Sequence, residues 1–305
     1  MKDVTGRSDE LLKFAFKTGD QSWLVAAGIV NQVRPVPWFL WRVLHSVYGS
    51  PGILGQPNAT VFSVLPRICI RAAGDGAFRE NAEGSETKEP APETLAEAIQ
   101  KIGADVAASL CFIHAICRRI SGVLSARIYR PIIDDALLRA RIGYLLGINA
   151  PAFGPGRGMI AGFSGRFGLA LQFAAGNEEN SEQALSALAS REQIGDVCRA
   201  TFGCDPLQVS ALTLVSAGCN RDMAFGISGF SSPGIVPLVG EQLKWHSAFT
   251  IIESVRAGRR GRISDECWAE LDLDEAERNA FLGRVEKLYR MGHGWRWMSE
   301  RSTQE

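Results

Sequence analysis

Apolar residues along this chain recur at helical spacing. Leu95, Ala98, Ile99 and Ile102, then Val106, Leu110 and Ile113, fall on the 3.6-residue repeat that lines one face of a helix. Ala136, Ala140, Gly143 and Gly147 stack on one face among Leu137, Leu138, Ile142, Leu145 and Leu146. Small residues in that arrangement let a partner helix approach closely, as in the core of a bundle. Leu185, Leu188, Ile194 and Val197, then Val209, Leu212 and Val215, carry the repeat onward, and sustained period-two alternation is absent. The pattern predicts an all-α protein. Thr94 followed by Glu97 reads as a capping box opening a helix. Leu11 to Phe16 and Trp23 to Val30 predict an N-terminal helix added to the first bundle, and 80–93, acidic with Pro and Gly and no large apolar side chain, predicts a mobile surface loop.

Composition narrows the function classes. Thirty-three basic residues balance thirty-three acidic ones over 305 residues, so no overall field draws the chain to nucleic acid or to an anionic membrane. Two stretches free of Asp, Glu, Lys and Arg, Val43 to Pro66 and Met223 to Gly240, are broken by Gly, Pro and Ser, which a spanning helix does not tolerate. The first twenty residues mix charges of both signs and lack a signal peptide's apolar run, so a cytoplasmic location is expected. Seven cysteines contain no Cys-x-x-Cys pair and read as buried free thiols. The basic cluster Arg256, Arg259, Arg260 and Arg262 reads as a solvated helix end and loop, with phosphate binding as the alternative. Trp295 and Trp297 read as a docked end of the last helix, with an exposed partner-binding tip as the alternative.

Residue chemistry offers little to an enzyme. The four histidines, His45, His114, His246 and His293, are far apart in sequence and none is followed by Asp. The run Gly154-Pro155-Gly156-Arg157-Gly158 lacks the Gly-Lys-Ser/Thr ending of a phosphate-binding loop, although Arg157 at a helix start is a candidate anion contact. Gly162-Phe163-Ser164-Gly165-Arg166 only partly matches a nucleophile elbow and sits in a helical context.

Three segments carry a family resemblance: Thr94 to Gly103, Ala161 to Leu169, and Phe202 to Leu214. In order and spacing they resemble helices of HD-type phosphohydrolases, and more closely their non-catalytic offshoot, the HDOD domains of bacterial signalling proteins. Where the hydrolases carry their His-Asp dipeptide this chain has Gly165 and Arg166. Where a second histidine stands it has Pro206, and Asp135 aligns with the first. Further ligand positions fall near Gly229 and Phe230. One carboxylate beside a guanidinium does not hold a catalytic cation, so the resemblance implies neither metal nor cofactor and no enzymatic activity.

It also implies an organisation. Residues 1–32 form an N-terminal helical extension, 33–125 a first helical lobe, and 126–305 a degenerate HD-like lobe with closing C-terminal helices. The implied function is a signalling module that binds another signalling protein in trans, with homodimerisation open. The alternative is a small-ligand or nucleotide sensor that keeps the old pocket without catalysis. A last expectation concerns Asp135 and Arg166: the guanidinium replaces the lost cation as an ion pair, and Gly165 leaves room for its fork.

Overall fold

The computed structural model describes residues 20–63, 65–75, 78, 92–189, 193–229, 237–292 and 294–298. The acidic segment 80–91 and the Leu11–Phe16 stretch lie outside them. Among the described residues there are helices and no strands. Five helices come first: α1 (Ser22–Val33), α2 (Leu40–Tyr48), α3 (Pro66–Gly74), α4 (Leu95–Ile102) and α5 (Ala104–Ser121). A central hairpin follows, α6 (Ala126–Asn149) and α7 (Pro155–Ala175). Around it lie α8 (Glu178–Ala189), α9 (Ile194–Phe202), α10 (Pro206–Ser216), α11 (Arg221–Ser228), α12 (Glu241–Arg256), α13 (Asp265–Ala269) and α14 (Glu275–Met291).

The hairpin is the spine because its two helices meet backbone to backbone. A Cβ on Gly158 would lie 1.9 Å from the Gly143 carbonyl oxygen, and one on Gly143 equally close to that of Gly158. One turn further along, a Cβ on Gly162 would lie 2.0 Å from the Arg139 carbonyl oxygen. The small-residue face of α6 is therefore the contact surface the sequence pattern predicts. On the far side α7 packs against α5 and α10, so a single apolar core runs through both halves of the chain.

Local signals place the other helices. Thr94 accepts a hydrogen bond from the Glu97 N–H, and the Glu97 carboxylate accepts from the Thr94 N–H in return, completing the predicted capping box. Gly103, at φ +87°, turns α4 into α5 through 106°, a conformation open mainly to glycine. Asp205 caps α10 and Pro206 occupies its first position, where a missing N–H costs nothing. Trp295 is fully buried, stacked on Phe78 with ring centroids 5.0 Å apart, and the Trp297 indole donates to Asp75 at 3.0 Å. The C-terminal segment is thus docked on the first half of the chain.

Helix α1 departs from expectation. It packs chiefly on α7 and α10 rather than on the first bundle. The Gln208 side chain donates to the Ser22 hydroxyl at 2.7 Å, and Gln32 donates to the Ala175 carbonyl at 3.1 Å. The physical reason is that Trp23, Ala26 and Val30 are buried, and the apolar faces of α7 and α10 cover them.

Among the described residues no single helix is long and apolar enough to cross a membrane. All seven cysteines are free thiols, and all but Cys267 are buried. Burial pushes the Cys198 thiol up to about 12 and Cys204 up to about 11, away from the reactive thiolate. Native protein should therefore consume about one equivalent of Ellman's reagent quickly, and all seven thiols should react only in denaturant. Fast reaction of two or more native thiols contradicts this packing.

Candidate functional site

Four sequence-predicted positions converge where α6, α7, α10 and α12 meet. Asp135 on α6 and Arg166 on α7 form an ion pair, Nε to Oδ2 at 2.7 Å. Gly165, Arg166 and Pro206 line one cleft of about 680 Å³. Gly229 is not among its lining residues, and Phe230 lies outside the described residues.

The pair belongs to a larger cluster. Asp135 also accepts from Arg139, one helical turn along α6, at 2.9 Å, and from Arg256 at the end of α12 at 2.7 Å. Arg139 in turn bonds Glu253 of α12. Three guanidiniums thus surround two carboxylates, with the Arg139 side chain 5% and that of Arg166 18% exposed. Burial works against the charged form of Asp135, yet Arg139, Arg166 and Arg256 outweigh it and hold its carboxyl below the usual range. Burial, reinforced by repulsion from Arg139, lowers Arg166 instead.

Gly165 sits under both groups. A Cβ there would lie 2.5 Å from a Glu253 carboxylate oxygen, so the glycine admits Glu253 of α12. The Arg166 fork lies beside it, with Nη1 donating to the Gly165 carbonyl at 2.6 Å. Arg157 needs correction. It is buried and donates to Glu241 at 3.0 Å, so its charge is met inside the protein and it does not serve as an anion contact.

Sequence reasoning missed Arg139, Glu253 and Arg256 as members of this cluster. Asp135–Arg139 is an i,i+4 pair on one helix face, a signal that could have found it. Of the basic run expected to be solvated, Arg259 and Arg262 are exposed and line the cleft, whereas Arg256 reaches Asp135. The remaining charged wall comes from α9 and the start of α10, where Arg199 bonds Asp205 at 2.8 Å and Asp196 at 3.3 Å.

This donor set does not fit a divalent cation. Guanidiniums already bind both oxygens of Asp135 and one of Glu253, and among the described residues no three His, Cys, Asp or Glu side chains converge. The histidines that are described lie elsewhere: His45 stacks on Trp41, His114 sits within α5, and His246 faces the Gly226 carbonyl.

No family model matches the chain, and no curated protein does. Two solved structures share its fold. One is a protein of Shewanella amazonensis SB2B provisionally named a phosphohydrolase, at TM-score 0.58 and 14% identity over 89% of this chain and 98% of that one. The other, from Marinobacter aquaeolei VT8, is provisionally named a signal transduction protein, at TM-score 0.59 and 14% identity over 88% of this chain and 60% of that one. At such identity the likeness concerns the fold.

Proposed function

We propose that this protein is a non-enzymatic signalling module of the HDOD kind, acting by binding another protein. The observation that supports this most directly is the fate of Asp135: three guanidiniums occupy the carboxylate that aligns with a metal-ligand position. An arginine cluster supplies the positive charge that holds α6, α7 and α12 together, and it cannot activate water for attack on phosphorus. The provisional names of the two structural neighbours, one a phosphohydrolase and one a signal transduction protein, agree with a hydrolase fold recruited to signalling.

Purified protein should therefore retain less than stoichiometric Mn, Fe, Zn or Ni after dialysis. It should not hydrolyse a chromogenic phosphodiester or nucleotides above background with any of these ions added. One equivalent of tightly held metal, with activity lost on chelation, overturns the reading. Crosslinking in native lysate, followed by mass spectrometry, then identifies the partner.

A second reading has its own support. The cleft beside the cluster is lined by five arginines against three carboxylates, which suits a sensor of small anions.

A further inference from the structure

The cleft combines two kinds of lining. Arg166, Arg259 and Arg262 supply charge, and the half-buried Ile194 and Leu207 supply apolar surface. Its volume of about 680 Å³ falls within the roughly 300–1,000 Å³ of small-molecule sites.

The charges do not cancel. Glu253 is bonded by Arg139, and Arg199 bonds both Asp196 and Asp205, which accounts for all three lining carboxylates. Arg166 shares Asp135 with two other arginines. Arg259 and Arg262 are exposed and make no ion pair among the described residues. An excess of guanidinium therefore faces the cleft.

The backbone that carries Arg259 and Arg262 is held in place. The Arg259 N–H bonds the Ser254 carbonyl at 2.8 Å, the Arg262 N–H bonds the Arg259 carbonyl at 3.0 Å, and Gly258 at φ +71° makes the turn out of α12. Arg260 between them pairs with Glu286 of α14 at 2.7 Å, tying the short turn to the rest of the protein. The first turn of α9 opens into the same cleft, and its N-cap Gln193 makes no side-chain bond to it.

We propose that this cleft binds a nucleotide-class anion, its phosphate on Arg166, Arg259 and Arg262 and its flat ring against Ile194 and Leu207. The inference rests on the sensor reading and deepens it. Guanidinium forks match phosphate oxygens two at a time, and an apolar wall beside them distinguishes a nucleotide from a bare phosphate. Because the cluster already carries the positive charge, binding requires no metal.

The test is calorimetric titration of the full chain in EDTA with AMP, GMP, ATP and GTP, alongside adenosine, ribose 5-phosphate and inorganic phosphate. At least one nucleotide should bind with a Kd below about 1 mM. Adenosine, ribose 5-phosphate and phosphate alone should each bind at least about tenfold more weakly. The doubly substituted R259A/R262A protein should lose about tenfold or more in nucleotide affinity, and raising the salt should weaken binding to the parent protein. Both side chains are exposed and outside the core, so the variant's unchanged melting profile serves as the control for folding. Nucleotide binding that is equally tight in the variant overturns the proposal. If ribose 5-phosphate or phosphate binds and no nucleotide does, the cleft senses another class of anion and this inference alone fails. If no anion binds, the sensor reading fails with it.

Discussion

Replacing Asp135 with alanine should lower stability by about 3–5 kcal/mol, the range found when one member of a buried ion pair is removed. The loss comes less from the missing bonds than from what remains. Arg139, Arg166 and Arg256 are left facing one another around a single carboxylate, Glu253, and the Arg139 side chain is only 5% exposed. Arg166→Ala should cost less, because two guanidiniums still serve Asp135. Arg166→Met combined with Asp135→Leu should recover part of the single-variant loss, since apolar side chains of similar size remove both the charge and its need for solvation. Urea unfolding of the parent, Asp135→Leu, Arg166→Met and the double variant gives the coupling directly as a double-mutant cycle. Additive losses would mean that the two side chains act independently in spite of their 2.7 Å contact.

The same cluster sets a pH dependence. The folded-state pKa of Asp135 lies below its unfolded value, so its contribution is fully present above the ordinary carboxylate pKa, near 4. It is lost as the pH falls through the lower folded value. Asp105 and Asp205 work in the opposite sense, because burial raises them and makes protonation easier in the folded state. In the Asp135→Ala protein the stability should decline less steeply below pH 4 than in the parent.

How far the fold was legible depended on the length scale of each signal. The helices of the hairpin and the capping box at Thr94 are written in residues a few positions apart, and local sequence patterns read them well. The Asp135–Arg166 pair spans thirty-one positions and emerged only because both residues align with ligand positions of a family that the chain resembles. Glu253 and Arg256 had no such guide. They lie more than a hundred residues from Asp135, and their helix reads as an ordinary amphipathic one. The approach of Glu253 to Gly165 was not legible for the same reason: a glycine announces a close approach, but this neighbour comes from another helix. Arg157 was misread because its partner Glu241 lies eighty-four residues downstream. The seat of α1 was hidden too, since a single apolar face does not say which of two surfaces will cover it.

Gly158→Val should be strongly disruptive. At Gly158 a Cβ would lie 1.9 Å from the Gly143 carbonyl oxygen and 2.6 Å from its carbon, far inside contact distance. These are backbone atoms of a neighbouring helix, so no rotamer change relieves the clash and α6 and α7 must separate. Overpacking a core typically costs about 1–3 kcal/mol, and separation of two central helices should cost about 3 kcal/mol or more. Against the roughly 5–15 kcal/mol of a typical domain, that is a substantial fraction of the stability. The consequence reaches the charged cluster, because Gly162 and the Arg139 carbonyl meet one turn away and Arg139 holds Glu253 and Asp135 together. Gly158→Val should therefore also weaken the coupling between Asp135 and Arg166. A control substitution at Gly283, where a Cβ would meet nothing within 4 Å on α14, should leave stability unchanged or slightly raised when the new residue is alanine. Thermal melting of the two variants side by side checks the argument. If Gly158→Val melts with the parent, the backbone contact at the centre of the hairpin is not what holds α6 and α7 together.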